Sequence, residues 1–164
     1  MCTTTRVLAV LTWLMVGAAH ADPRIGDPAP RAALTGLDGK PVTLPVGKPF
    51  IVDFFATWCG PCHQAVGVLD GLVRAAGGKI ALVVVDVKES AEPVQTFLAD
   101  HPLPPGAVMA LDPTGENAQR WGQHRFPTTY IIDAAGVIRH INRGFGPGYE
   151  ERMRTWLKPF MKEE

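Results

Sequence analysis

Two long apolar runs mark the buried part of this chain. The first, Phe50–Phe55, is interrupted only by Asp53, and the second, over residues 80–85, is rich in β-branched side chains. Such runs are typical of strands buried on both faces of a sheet. Between them, apolar residues recur at the i, i+3 and i+4 spacing of a helix face: Ala65, Val66, Val68, Leu69, Leu72 and Val73. The pattern therefore predicts a strand, a helix and a second, parallel strand.

Shorter segments flank this unit on both sides. Residues 32–34 and 42–44 enclose an Asp38-Gly39 turn signal, which predicts an N-terminal hairpin. Further along we expect a helix over 90–100 capped by Ser90, a strand over 108–111, a brief helix over 116–121, a hairpin over 126–142 and a closing helix over 148–160. The predicted fold class is α/β, with a central mixed β-sheet flanked by helices, an added N-terminal β-hairpin and a helical insert.

The first 21 residues predict a cleaved signal peptide. Arg6 precedes an apolar run over residues 7–19, and Ala19-His20-Ala21 fits a small-x-small cleavage site. This run is shorter than the ~20 residues that span a bilayer, so an uncleaved membrane anchor is the weaker alternative. We therefore expect a mature domain over 22–164 and export to an oxidising compartment such as a bacterial periplasm.

Composition and net charge indicate a single globular domain and give no sign of a nucleic-acid or membrane partner. The 164 residues are 46% hydrophobic and 20% charged, which is ordinary for one globular domain with a core. The formal net charge is zero. This charge gives no reason to expect nucleic acid or an anionic membrane surface as a partner.

The candidate chemistry lies in Cys59-Gly60-Pro61-Cys62, at the predicted turn from the first buried strand into the helix. The third cysteine, Cys2, would leave with the signal peptide. A helix N-terminus favours the thiolate, which is the nucleophile in disulfide exchange. A structural disulfide closing so short a ring would contribute only about 2 kcal/mol, against about 4.7 for a 100-residue loop. We therefore predict a redox-active pair, with Cys59 at the exposed edge attacking and Cys62, one turn further in, resolving.

These residues resemble the thioredoxin superfamily. The resemblance rests on the strand, Trp58-Cys59-Gly60-Pro61-Cys62 and the helix, followed by Phe126-Pro127-Thr128 before a hairpin and a final helix. The signal peptide, the N-terminal hairpin and the extra segment over 87–111 resemble its exported TlpA/ResA branch. The resemblance implies a thioredoxin fold and a monomeric thiol:disulfide oxidoreductase that needs no cofactor or metal.

The family also implies a direction and partners. Gly60-Pro61 is the dipeptide of reducing thioredoxins, so the resemblance implies a reductase of protein disulfides. Electrons would come from a membrane thiol reductase. The targets would include apocytochrome c cysteines, as in cytochrome c biogenesis, or the thiols of a copper-site protein.

Individual roles follow from the same resemblance. Pro127 matches the family's cis-proline, and the backbone of Phe126 would pair with a substrate peptide as a strand partner. Trp58 matches the tryptophan that covers the site, with Gly60 and Pro61 completing the substrate-facing turn. Asp53 matches a buried acid behind the second cysteine.

Two departures from the family pattern limit what the resemblance implies. ResA-type proteins carry an acid three residues after the second cysteine, where this chain has Ala65, and the thioredoxin lysine that pairs with the buried acid is replaced by Leu82. We therefore expect Asp53 to lack a cationic partner and burial to raise its pKa.

Two other functions remain open on the same residues. Cys59-Gly60-Pro61-Cys62-His63 also fits the C-x-x-C-H signature of c-type haem attachment. A copper or zinc carrier could use Cys59 and Cys62 with His63 or His124. The histidines of the mature chain are scattered rather than spaced as ligands, at His63, His101, His124 and His140.

Overall fold

The computed structural model describes residues 21–103 and 105–161. The predicted signal peptide, apart from Ala21, lies outside the described residues. None of the helices described has both the length and the apolar character that a membrane span requires.

A mixed β-sheet forms the centre of the fold. The chain runs in the order β1 (Leu34–Gly36), β2 (Pro41–Val42), β3 (Phe50–Phe55), α1 (Gly60–Ala75), β4 (Ala81–Val87), α2 (Ala91–Asp100), β5 (Val108–Asp112), α3 (Glu116–Arg120), β6 (Thr128–Ile132), β7 (Ile138–Arg143) and α4 (Tyr149–Met161). Within the described residues the sheet has seven strands in the order β2-β1-β5-β4-β3-β6-β7. The pairs β3–β4 and β4–β5 are parallel, and the others are antiparallel. The predicted fold class, with its N-terminal hairpin and the inserted α2, is confirmed.

The sheet separates two hydrophobic cores. The α1 core contains the inward residues of α1, α2 and α4, including Cys62, Val94 and Met153. The α3 core lies on the opposite face and includes Ala118 and Trp121. Side chains alternate along a strand, so Ile51, Asp53 and Phe55 of β3 face the α1 core while Phe50, Val52 and Phe54 face the α3 core.

The N-terminal part of the chain is attached to both edges of the sheet. On one edge, β1 pairs with β5. On the other, the Gly26 N–H donates to the Ile138 carbonyl and the Ile138 N–H donates to the Asp27 carbonyl, both at 2.9 Å. The buried Asn117 side chain also hydrogen-bonds the N–H and the carbonyl of Ala33. These contacts fix the path of the chain before β3.

Two local predictions were wrong. The second hairpin strand is Pro41–Val42 rather than 42–44, and Pro45 just beyond it has no N–H to offer a strand pairing. Ser90 occupies the N-cap position of α2, but its side chain makes no capping hydrogen bond.

Candidate active site

The two cysteines lie where the buried strand β3 turns into α1. Cys59 is the N-cap residue of the helix, and Pro61 falls in the first turn, where its missing N–H leaves no intrahelical acceptor unpaired. The sulfurs of Cys59 and Cys62 are joined in a disulfide, with the Cα atoms 5.2 Å apart. The Cys62 N–H also points at the Cys59 sulfur, 3.2 Å away. The helix N-terminus and this N–H favour negative charge on the Cys59 sulfur once the disulfide opens.

The two sulfur-bearing residues differ in access to solvent. Cys59 is 6% exposed and Cys62 is fully buried. The prediction that Cys59 is exposed was wrong, because its sulfur is bonded to that of the buried Cys62. The order of the two side chains is as expected, with Cys59 the outer one.

An aromatic surface lies beside the cysteines. Trp58 is 69% exposed, and its ring contacts that of Phe126 edge-on at 5.4 Å between centroids. The Phe126–Pro127 peptide bond is cis, as the resemblance implies. The structure thus brings Trp58 and Phe126 together from two distant parts of the sequence. It also shows that Trp58 is not a core aromatic residue.

Asp53 is fully buried in the sheet, on the face that α1 covers. Its strand neighbours are Val84 on β4 and Thr129 on β6, while Leu82 pairs with Ile51 instead. The Thr129 hydroxyl donates a hydrogen bond of 2.7 Å to Oδ1, and Oδ2 has no hydrogen-bond partner among the described residues. Burial raises the pKa of Asp53 to about 7, even though the Thr129 hydrogen bond lowers it.

The hydrogen bond from Thr129 continues to a tyrosine that the sequence did not single out. The Thr129 hydroxyl and the Tyr149 hydroxyl are 2.9 Å apart, and Tyr149 opens α4. Burial, with the charge of Asp53 beside it, raises the pKa of Tyr149. The only sequence signal was a pair of polar residues, Thr128 and Thr129, at the start of a buried strand.

A second acidic group supports the turn before Cys59. Glu89 accepts hydrogen bonds from the Thr57 N–H and the Thr57 hydroxyl. Asp86, buried at the end of β4, faces the Glu89 carboxyl, and neither Asp86 oxygen has another hydrogen-bond partner in the part of the chain described. Burial, then the hydrogen bond and charge of Glu89, raise the pKa of Asp86 to about 8. Burial alone would raise the pKa of Glu89, but hydrogen bonds from Thr57 and Asp86 lower it overall.

His63 is held by contacts that do not suit haem ligation. Its Nε2 lies 2.7 Å from the Thr57 carbonyl oxygen, and its ring packs against Phe55 and Phe97. Haem attachment would need this nitrogen and both thiols, yet the sulfurs are bonded to each other. The arrangement favours redox cycling of Cys59 and Cys62.

The metal-carrier alternative gains no support from the geometry. Across residues 21–103 and 105–161, no group of three or more His, Cys, Asp or Glu side chains could hold a metal ion. The second histidine proposed as a ligand, His124, has its Nε2 2.9 Å from Asp22 Oδ2. This contact involves neither Cys59 nor Cys62.

Known proteins share both the sequence and the fold. Residues 24–156 match the family Redoxin. The thiol:disulfide interchange protein CycY of Rhizobium leguminosarum bv. viciae is 30% identical over 145 residues, covering 88% of this chain and 72% of its own. The thiol-disulfide oxidoreductase ResA of Bacillus thuringiensis subsp. konkukian is 30% identical over 138 residues, 82% of this chain and 77% of its own.

A solved structure of a similar protein has the same fold. The crystal structure of a Chlorobium tepidum protein described as the thiol:disulfide interchange protein DsbE superposes with a TM-score of 0.74 at 28% identity, over 85% of this chain and 99% of that one. The matched region contains β3, the cysteine pair and the Phe126-Pro127 loop. The chain therefore belongs to the Redoxin family and is a thiol:disulfide oxidoreductase with a thioredoxin fold.

Proposed function

We propose that the protein is a periplasmic reductase of protein disulfides. The observation that carries the thiol chemistry of this proposal is the unequal placement of the two cysteines. Cys59 caps the helix next to the exposed Trp58, whereas Cys62 is fully buried beneath it. A substrate disulfide can reach the outer sulfur far more easily than the inner one, which supports attack by Cys59 and resolution by Cys62.

The proposed reaction has two steps. In the reduced protein, the Cys59 thiolate attacks one sulfur of the substrate disulfide, and the sulfur that leaves takes a proton from solvent. The Cys62 thiol then gives its proton to the Asp53 carboxylate and attacks the Cys59 sulfur. This attack forms the Cys59–Cys62 disulfide and frees the second substrate sulfur. Two electrons pass from the protein dithiol to the substrate.

Asp53 suits the role of base in the second step. It lies on the sheet face that contacts Cys62, and its pKa of about 7 lets it change protonation state near neutral pH. A carboxylate with an ordinary pKa would hold the proton too weakly to take it from a thiol efficiently. The burial that raises its pKa therefore also makes it a better proton acceptor.

The substrate surface is assigned to the aromatic pair and its loop. Trp58 and Phe126 offer an apolar face beside Cys59, with Gly60 and Pro61 exposed at the turn. We propose that an extended peptide lies along the Phe126-Pro127 loop as an added strand. Its side chains would then contact the aromatic face while its disulfide meets Cys59.

The compartment and partners complete the proposal. Export of the mature domain over 22–164 is supported by the signal-peptide pattern of the first 21 residues. A membrane thiol reductase would supply electrons to the domain, which would act as a monomer. The substrates would be protein disulfides, including those of apocytochrome c or of a copper-site protein.

The reduction potential of the Cys59–Cys62 pair tests the direction of electron flow. Equilibration with glutathione buffers, followed by alkylation and mass analysis, measures it. A reductase should lie near the thioredoxin value of about −270 mV, and a value near the about −120 mV of DsbA would overturn the proposed direction. Wild-type protein treated with excess dithiothreitol supplies the fully reduced baseline.

A further inference from the structure

We propose that Thr129 and Tyr149 form a proton relay that connects buried Asp53 to a groove at the start of α4. This inference rests on the proposed function, in which Asp53 takes the proton of Cys62. It assigns to the two hydroxyl groups the return of that proton to solvent, which the reaction needs before each new cycle.

The need for a relay follows from the position of Asp53. The side chain has no exposed surface, and the residues next to it on its own strand face, Ile51 and Phe55, are apolar and fully buried. Val84, its neighbour on β4, is apolar too. Among the described residues, the Thr129 hydroxyl is the only hydrogen-bond partner of the carboxyl group. A proton that leaves Asp53 through hydrogen-bonded groups must therefore pass through Thr129.

The geometry allows such a transfer in both directions. The distances are 2.7 Å from Asp53 Oδ1 to Thr129 Oγ1 and 2.9 Å from Thr129 Oγ1 to the Tyr149 hydroxyl, both within the range of good hydrogen bonds. When Asp53 is ionised, Thr129 donates to it and Tyr149 donates to Thr129. When Asp53 is protonated, both bonds can reverse, so that each hydroxyl passes on one proton as it receives another. Neither hydroxyl then has to carry a net charge.

Tyr149, which is 1% exposed, ends the relay just beneath the surface. Together with Phe145 and Val68 it lines an open groove of about 460 Å³ whose rim carries Glu150 and Arg154. Glu150 is exposed, so water in the groove and this carboxylate can receive the proton. The charged groups that act on the Tyr149 hydroxyl are Asp53 and Arg152, and Arg152 donates to the Pro147 carbonyl at 3.1 Å. A neutral tyrosine thus lies between an apolar interior and a groove with charged residues on its rim.

Proton release from Asp53 can be measured without any disulfide exchange. In the oxidised protein, a rapid step from about pH 6 to about pH 8 crosses the Asp53 pKa of about 7. Time-resolved infrared absorption then follows the loss of the protonated carboxyl band, and the part of that signal missing in Asp53→Asn belongs to Asp53. We expect Tyr149→Phe to slow this loss by at least about tenfold, a fraction of the ~10²–10⁴ that positioned proton-transfer groups contribute.

Three further variants separate a relay from a structural role. Thr129→Val should also slow the loss of the band, whereas Thr129→Ser, which keeps a hydroxyl, should restore the rate. Tyr130→Phe is the matched control, because Tyr130 is a buried tyrosine whose hydroxyl donates to the Trp121 carbonyl in the α3 core. It should leave the rate unchanged. The pKa of Asp53 should stay the same in Tyr149→Phe, since the hydrogen bond from Thr129 remains.

The outcomes distinguish this inference from the proposed function. Proton release at the wild-type rate in Tyr149→Phe would overturn the relay. If that variant does not fold, equal rates in Thr129→Val and Thr129→Ser would overturn it instead. The role of Asp53 as base is tested separately, by single-turnover resolution of a mixed disulfide in Asp53→Asn. A wild-type rate of resolution there would overturn the base and leave the proton-release measurement intact.

Discussion

Glu89 accepts two hydrogen bonds from Thr57, one from its N–H and one from its hydroxyl, and both are 2.6 Å long. Thr57 stands two residues before Cys59, and its carbonyl oxygen is 2.7 Å from His63 Nε2. The N–H, the hydroxyl and the carbonyl of Thr57 are therefore all hydrogen-bonded. A carboxylate from the loop after β4 thus fixes the turn that carries Cys59.

Removing this carboxylate should loosen the turn. We expect Glu89→Ala to lower the free energy of unfolding by about 1–3 kcal/mol, the usual range for losing hydrogen bonds to a charged group. The Thr57 amide should exchange its hydrogen faster, which NMR can measure at that residue. Glu92→Ala, which removes an exposed glutamate on α2, is the control for hydrogen exchange and should leave the Thr57 amide as protected as in wild type. Unchanged protection of the Thr57 amide in Glu89→Ala would contradict the role of Glu89.

Asp86 should make the protein less stable as pH rises. Its pKa is about 8 in the folded protein against an ordinary 3.8. Between about pH 4 and pH 8 the unfolded chain is ionised there while the folded chain still holds the proton, so this group lowers stability by up to about 1.4 kcal/mol per pH unit. Asp86→Asn removes the titration and leaves an N–H that can donate to Glu89. In urea unfolding, the free energy of unfolding of the variant should rise relative to that of wild type up to about pH 8. If the two free energies change in parallel with pH, the pKa of Asp86 is not raised.

Asp53→Asn should also become more stable than wild type as pH rises, but over a narrower pH range than Asp86→Asn. Below the ordinary pKa of 3.8 both states are protonated and the two proteins should be equally stable. As pH rises to about 7, folding of wild type is penalised by up to about 1.4 kcal/mol per pH unit, and the variant escapes this penalty because Thr129 can still donate to its amide oxygen. The advantage should stop growing near pH 7, whereas that of Asp86→Asn continues to pH 8. A variant less stable than wild type at pH 7 would show that Asp53 is ionised and well solvated in the folded state.

The two cysteines should differ in trapping. Cys62→Ser should accumulate mixed disulfides between Cys59 and its substrates, because the thiol that releases them is missing. Cys59→Ser should accumulate few, since the remaining thiol is fully buried. Non-reducing electrophoresis with mass spectrometry of the trapped species measures both. Equal trapping by the two variants would remove the assigned order of attack.

The parts of the site that the sequence predicted are those with a periodic or local signal. The apolar run of β3 and the helical spacing after it place Cys59 and Cys62 at a strand-to-helix turn, and alternation along β3 puts Asp53 on the face of Ile51 and Phe55. The burial of Asp53 could therefore be predicted.

The supporting hydrogen bonds could not be predicted in this way. Thr129 and Tyr149 are 20 residues apart, and Thr57 and Glu89 are 32 apart. Each pair meets only because two elements end at the same place, and a single polar residue at an element's end leaves no pattern in the sequence. The low exposure of Cys59 escaped prediction for another reason, since its sulfur is bonded to that of buried Cys62 and no residue pattern shows how far this bond withdraws it from solvent.

The pairing of residues 26–29 with the start of β7 has a consequence for how the molecule meets its own copies. A sheet edge with free N–H and carbonyl groups is a template for pairing with another chain. Here the chain before β1 occupies the beginning of one edge, where Ile138 is bonded on both its N–H and its carbonyl, and the exposed Arg139 and Arg143 follow along β7. The opposite edge is β2, only two residues long. Neither edge offers a long apolar strand, so the sheet is protected against adding strands from other copies at its ends, and hence against aggregation.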